Sequence, residues 1–337
     1  MTSFPTRKIG NDNVSAIGFG AMGISAFYGA VESDEERLKV LDAVHASGST
    51  FWDTADVYGD SEELLGKWFK KSGKRKDIFL ASKFGLASDT GKVVHAHPDY
   101  VPKAIDKSLE RLGVDQIDLY YLHRPDPEVP IELTVGALAE AVKAGKVKYL
   151  GLSECSAATL RRAHAVHPIS ALQVEYSPFT LDIESDSIGL LKTARELGIT
   201  IIAYSPLGRG FLTGQIRSPD DLEEGDFRRM IPRYSKENFP NILKITEGLK
   251  AIGERHGATS GQVALGWLLA QGPDVIPIPG TRRIKYLHEN VDAIKVKLSE
   301  AEVAEVRAIA EKADAGQGDR YPPGLATVLF GDTPELK

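Results

Sequence analysis

A chain of 337 residues with 42% hydrophobic and 26% charged side chains has the make-up of a soluble globular protein with room for a large core. The formal net charge is −6 and no basic tract is dense enough to track a phosphate backbone, which argues against nucleic-acid binding. No apolar run approaches the roughly 20 residues of a membrane-spanning helix, and the start, Met1 to Lys8, has no apolar segment to serve as a secretory signal.

In chain order, Arg7-Lys8-Ile9-Gly10 and Val14-Ser15-Ala16 flank Asn11-Asp12-Asn13 and read as a short hairpin suited to plug a barrel floor. Ala16 to Gly20 reads as a first strand. Asp34 to His45 follows with helical spacing at Leu38, Leu41 and Val44, and Ser33 is placed to cap it. The strand Thr50 to Asp53 precedes a helix opened by Ser61. Ile78 to Lys83 precedes a helix from Asp99 to Leu112. Ile117 to Tyr121 precedes Ile131 to Val142, and Val147 to Leu152 precedes Ser156 to Ala165. Ala171 to Val174 precedes Ser187 to Leu197. Ile199 to Tyr204 leads, through the long insertion Arg209 to Pro240, to a helix from Ile242 to Arg255. Ser260 to Ala270 is also helical and leads into Val275 to Ile278, then Ile284 to Ala293. Ser299 and Glu302 form a capping box for one extra helix, and a Gly- and Pro-rich tail follows from Ala315.

Strands alternating with helices at this period imply parallel strands and helical crossovers. Eight such units predict an α/β fold, a closed (β/α)8 TIM barrel, with the hairpin and the C-terminal helix as additions to a single domain over residues 1–337. Gly18-Phe19-Gly20-Ala21-Met22-Gly23 matches a dinucleotide fingerprint in letters. It reads instead as a tight turn at a strand end, because Gly29 and Ala30 continue a loop and the next helix starts near Asp34.

Barrel chemistry gathers at the C-terminal strand ends. Asp53, Lys83 and His123 each close a strand, and Tyr58 lies one turn beyond Asp53. An acid, a phenol, an ammonium and an imidazole are the groups needed to protonate a carbonyl oxygen while hydride reaches its carbon. Tyrosine ionises near pH ~10, and a neighbouring ammonium is expected to lower that value. Lys83 takes this part, Asp53 holds Lys83, His123 orients the substrate oxygen, and Tyr58 donates the proton. With no metal or flavin signature, a nicotinamide cofactor is the expected hydride source. His95 and His97 have ligand-like spacing, but no metal is expected, since a site needs three or four ligands. Cys155 is the single cysteine, so no intrachain disulfide forms and a reducing, cytoplasmic setting is expected. It follows Glu154 at a strand end and reads as structural, since no base accompanies it.

The ordered set Asp53, Tyr58, Lys83 and His123 resembles the catalytic tetrad of the aldo-keto reductases. The resemblance runs from about Arg7 to Ala310 and includes Asp53-Thr54-Ala55-Asp56-Val57-Tyr58-Gly59, Gly151-Leu152-Ser153, Gln173-Val174-Glu175-Tyr176-Ser177, Tyr204-Ser205-Pro206-Leu207-Gly208 and Ile278-Pro279-Gly280-Thr281. Ala26-Phe27-Tyr28-Gly29 and Leu122-His123-Arg124-Pro125-Asp126 look most like the branch that includes pyridoxal reductases and the YakC-like and perakine-reductase-like enzymes. The resemblance implies that Ser153 and Gln173 hold the nicotinamide carboxamide and that Tyr204 stacks on its ring. It places Ser205, Pro206, Leu207, Gly208 and Gly210 around the pyrophosphate. Pro279, Gly280, Thr281, Arg282 and Arg283 fall near the adenosine phosphates, with Glu289 and Asn290 at the adenine. The planar guanidinium fork suits a phosphate, so Arg282-Arg283 favours NADPH over NADH. Phe27, Tyr28, the stretch Gly85 to Pro98, the insertion and Tyr321 are expected to shape the substrate site. Arg124 is expected to meet either a polar or anionic substrate group or Asp126. Many relatives carry Asn at the position of Glu154, and a carboxylate cannot donate to a carboxamide as an amide does.

The expected function is NADPH-dependent reduction of aldehydes, such as pyridoxal or aromatic aldehydes, with a small-molecule carbonyl compound as partner and monomer or homo-oligomer left open. The same tetrad is compatible with a non-catalytic cofactor-sensing subunit like the potassium-channel β-subunits, although the long N-terminal extension expected there is missing. A barrel hydrolase or isomerase would use paired carboxylates or a metal and leaves the Tyr–Lys pair without a role.

Overall fold

A computed structural model describes residues 4–86, 91–322 and 328–337 of the chain. β1 (Thr6–Ile9) and β2 (Asp12–Ser15) form an antiparallel hairpin. Its turn holds Gly10 at φ 56°, where a Cβ would fall 2.4 Å from the Tyr149 ring. Ile9 and Val14 pack into one cluster with Phe51, Phe79, Leu119 and Ile202, so the hairpin closes the floor of the sheet as its sequence suggests.

β3 (Phe19–Gly20), β4 (Phe51–Asp53), β5 (Phe79–Phe84), β6 (Ile117–Leu122), β7 (Val147–Ser153), β8 (Ile169–Glu175), β9 (Thr200–Tyr204) and β10 (Val275–Pro277) form one parallel sheet in sequential order. Gly18 donates its N–H to Pro277 O at 2.9 Å and Gly20 donates to Pro279 O at 3.2 Å, joining the two edge strands into a barrel. β3 is shorter than the expected Ala16–Gly20. The glycines there spend their N–H groups on this seam rather than on a longer ladder.

The helices cover the outside. Ser33 caps α2 (Asp34–Ala46), which follows the four-residue α1 (Met22–Ser25). α1 is a single helical turn that begins where the glycine-rich pattern reads as a tight turn. α3 (Ser61–Ser72), α4 (Val101–Leu112), α5 (Ile131–Lys143), α6 (Ala157–Val166), α7 (Leu190–Glu196), α8 (Phe239–His256), α9 (Ser260–Ala270) and α10 (Ile284–Asp292) follow. α4 shows the common design: Val101, Ala104, Ile105, Ser108 and Leu112 share one buried stripe at helical spacing. α7 starts three residues later than expected because Gly189, at φ 60°, breaks the run before it. The insertion after β9 is not bare loop: Pro219–Asp221, Phe227–Met230 and Pro232–Tyr234 are short 3-10 turns, and Gly208–Thr213 is 3-10 with a kink at Arg209 and Gly210. α11 (Glu300–Ala313) carries the capping box of Ser299 and Glu302. Among the described residues no helix is long and apolar enough to cross a membrane.

Beyond α11 the chain returns over the C-terminal ends of the strands. Gly331 pairs with the stretch just past β7, accepting from Ser156 N and donating to Glu154 O, each at 2.8 Å.

Candidate active site

Asp53 ends β4, Lys83 lies one residue inside the end of β5, and His123 directly follows β6. Tyr58 is held in the β4–α3 loop, where Gly59 sits at φ 57° and a Cβ would meet Ser25 O at 2.9 Å. Only glycine lets that loop press on α1. Lys83 Nζ donates to Asp53 Oδ1 at 2.5 Å and to Thr54 O at 2.7 Å. Gln173 Nε2 donates to the other Asp53 oxygen at 2.8 Å. The ammonium stands 5.0 Å from the centre of the Tyr58 ring, and the Tyr58 and His123 rings meet edge to face at 5.7 Å. The structure therefore brings all four groups together at one mouth.

The electrostatics depart from the sequence expectation in one respect. The net shift of the Tyr58 phenol is upward, not downward. Burial, followed by the charge of Asp53, pushes the Tyr58 hydroxyl well above its ordinary value, so the group is protonated. Burial also raises the Asp53 carboxyl and lowers the Lys83 ammonium, each against the pull of its partner. Burial, then Arg124 and Lys83, holds His123 well below the usual imidazole range, so its ring is neutral. His123 Nδ1 is buried without a partner. A buried orphan N–H is rarer than an orphan acceptor, which favours the tautomer with hydrogen on Nε2.

Asp56, behind the site, is raised to about 7 by burial and then by Glu62, and its Oδ1 lacks a partner. The unfolded carboxyl titrates near pH ~3.9. The native state thus binds the extra proton between those values, and stability falls as pH rises through that window. Asp56→Asn is expected to raise the melting temperature relative to wild type more at pH ~8 than at pH ~5. An equal effect at both values would refute this origin.

One cavity of ≈ 890 Å³ opens over Asp53, Tyr58 and His123, with Lys83 sealed behind them. Ser153, Gln173, Tyr204, Ser205, Pro206, Leu207 and Gly210 line it, as do Pro279, Gly280, Thr281, Arg282, Glu289 and Asn290. Phe27, Tyr28 and Arg124 also face it. Gly208 and Arg283 are not in its wall. Gly208 packs towards Phe179 and Leu212, and Arg283 is exposed at the cap of α10. The guanidinium of Arg282 donates to Ala30 O at 2.7 Å. Arg124 makes no bridge to Asp126, which instead accepts the backbone N–H groups of Ala96 and Glu128, each at 3.0 Å. Part of the stretch Gly85 to Pro98, residues 87–90, lies outside the described residues. Cys155 is fully buried and its thiol is pushed up by that burial, which makes it structural.

Glu154 anchors a buried charged network at the mouth. It takes a left-handed backbone, φ 50°, and is fully buried. Arg320 from the tail donates to its two oxygens at 3.2 and 2.9 Å and to Glu175 Oε2 at 3.1 Å. The Tyr204 hydroxyl donates to the same Glu154 carboxylate at 2.8 Å and lies 3.2 Å from the Tyr321 hydroxyl. Ser205 and Arg209 share the left-handed backbone, so uncommon conformations cluster around this mouth. Sequence reasoning missed Arg320 and gave Glu175 no role of its own; Arg209 and Phe227 fall inside the insertion expected to shape the substrate site, without being singled out. Two carboxylates at successive strand ends, Glu154 and Glu175, were the available signal that a distant cation must reach them.

A model of the aldo/keto reductase family matches residues 16–311. The chain belongs to this family. An aldo-keto reductase of Strobilurus tenacellus is 64% identical over 98% of each chain. The Schizosaccharomyces pombe relative named aldo-keto reductase yakc [NADP(+)] is 55% identical over 99% of each. Among solved structures, a glycerol dehydrogenase from Gluconobacter oxydans superposes with a TM-score of 0.83 at 27% identity, covering 95% of this chain and 99% of that one. A thermostable aldo-keto reductase solved with the inhibitor epalrestat gives 0.73 at 32% identity, covering 90% and 99%. The barrel, its floor hairpin and its C-terminal mouth are thus the frame of this aldo-keto reductase.

Proposed function

We propose that this aldo-keto reductase is an NADPH-dependent reductase of aldehydes, pyridoxal or aromatic aldehydes among them, with Tyr58 as proton donor. The observation that carries the reading is a protonated, buried phenol beside a neutral His123 and a buried Lys83–Asp53 pair at the cavity end. NADP is the cofactor named for the fission-yeast relative. The donor set fits it. Gln173 spends its amide nitrogen on Asp53, which leaves its oxygen to accept from a carboxamide N–H. Ser153 Oγ accepts from Arg124 at 3.2 Å, which leaves its hydrogen to donate. Tyr204 offers a ring fixed at its hydroxyl end by Glu154. Arg282 provides a guanidinium at the corner after the last strand, where barrels bind phosphate.

Bound NADPH supplies hydride to the carbonyl carbon. His123 donates from Nε2 to the carbonyl oxygen and fixes its direction. Tyr58 delivers its proton to the same oxygen as negative charge develops there. Lys83 stands beside the phenolate that remains and stabilises it, and Asp53 keeps Lys83 in place. A reducing, cytoplasmic setting fits a reductase whose single thiol is buried.

The direct test is loss of NADPH absorbance with pyridoxal and 4-nitrobenzaldehyde. Turnover is expected, and a protein that binds NADPH yet reduces neither aldehyde would count against the reading. A second expectation concerns pH. Because Tyr58 stays protonated, reduction should be flat in turnover number from about pH 6 to about pH 9. Oxidation of the product alcohol needs Tyr58 to accept a proton and should rise over the same range. Parallel profiles for both directions would remove Tyr58 from the proton step.

A further inference from the structure

Five charged side chains meet at the tail side of the cavity, and their charges do not balance. Glu154 and Glu175 are both taken by Arg320. Arg209 comes no closer than 3.8 Å to Glu175, beyond hydrogen-bond range, and its Nε and Nη2 are buried without partners. Arg124 has only neutral acceptors: His123 O at 2.7 Å, Ser153 Oγ at 3.2 Å and Tyr321 Oη at 3.5 Å. Among the described residues no carboxylate lies within ion-pair distance of Arg124. The nearby acids are engaged elsewhere, Asp53 with Lys83 and Asp226 with Arg228. Three guanidinium groups therefore face two carboxylates in a nearly sealed corner. A buried cation without its counter-charge is costly. Arg124 and Arg209 both line the cavity, so the cavity is where the missing anion has room.

The intervening wall is aromatic. Tyr58 meets Phe27 edge-on at 6.3 Å, Phe27 meets Phe227 at 6.2 Å, and Phe227 approaches Tyr321 at 6.4 Å. Arg209 and Arg124 lie 4.7 and 5.9 Å from the centre of the Tyr321 ring. The row runs from the proton donor at one end to Arg209 and Arg124 at the other. A flat ring fits along such edges.

We propose that this cavity selects an aromatic carbonyl compound bearing a carboxylate, with Arg124 and Arg209 as the residues that recognise the anion. The proposal rests on the reductase reading above and names its substrate class. The phosphates of NADPH are the rival source of negative charge for Arg209, and the test separates the two.

Values of kcat/KM are compared for the ortho, meta and para carboxybenzaldehydes and their methyl esters. At least one acid is expected to exceed its own ester by about tenfold or more, the scale of a charge-assisted hydrogen bond. Arg124→Met and Arg209→Met should each move that acid-to-ester ratio towards one. Taking a ratio cancels any general loss of activity in the variant. Benzoate should inhibit wild type in competition with the aldehyde and not with NADPH. Esters turned over as well as every acid by wild type would overturn the proposal, even if the variants fail to fold. Benzoate competing with NADPH would also overturn it, by giving the arginines to the cofactor phosphates. Reduction of neither acids nor esters would instead bring down the reductase reading and this proposal with it.

Discussion

Tyr58→Phe should lower the turnover number for aldehyde reduction by about 10²–10⁴-fold, the usual contribution of a positioned general acid. NADPH affinity and melting temperature should stay near the wild-type values. The phenylalanine ring keeps the edge contacts with Phe27 and His123, so the mouth retains its shape. What leaves is one hydroxyl, which burial and Asp53 keep protonated and so ready to donate. Neutral His123 still binds the carbonyl oxygen but is a poor substitute acid, because burial and its cationic neighbours disfavour its charged form. Steady-state rates with NADPH, beside a direct binding titration of NADPH, separate a chemical loss from a binding loss. A turnover number within about tenfold of wild type would mean that Tyr58 is not the proton donor.

Lys83→Met should destabilise the fold by about 3–5 kcal/mol, the usual cost of removing one partner of a buried ion pair. Both side chains are sealed, at 0% and 3% exposure, so water cannot replace the lost ammonium. Asp53 would keep only the Gln173 amide and would be driven to take up a proton. Pairing the change with Asp53→Asn removes the stranded charge and should restore part of the stability. It should not restore reduction, since neither replacement stabilises a Tyr58 phenolate. Urea unfolding of both single variants and the double variant closes the cycle. A Lys83→Met protein within about 1 kcal/mol of wild type would show that the pair behaves as an exposed one.

The barrel was legible because each of its units announces itself locally. α4 shows a clean apolar stripe, Ser33 and Ser299 cap their helices, and the strands are short, mainly apolar runs such as Ile117–Leu122 and Thr200–Tyr204. The four central groups were legible because strand ends are fixed by the same local pattern. Two kinds of information were not. Ionisation depends on burial, and the sequence shows that Lys83 is near Tyr58 but not that both are sealed, which reverses the expected shift of the phenol. Arg320 and Glu154 are 166 residues apart, and no periodicity links a Gly- and Pro-rich tail to a strand end. Arg209 opens the insertion expected to shape the site, but its own role was not legible for a related reason. Its left-handed backbone turns the side chain towards Tyr321, and loop conformation of that kind follows from packing rather than from pattern.

The strap formed by Arg320 has a meaning for how the molecule is made. A ribosome delivers Glu154 and Glu175 long before it delivers the cation they share, and until then both carboxylates must stay hydrated. Strands β7 and β8 therefore cannot seal their upper ends until then, and the wall that holds Tyr204 is finished only when Arg320 emerges. The site is assembled from distant parts of the polypeptide in time as well as in space: the floor hairpin is made before the strands it closes, and the clasp over the mouth after them.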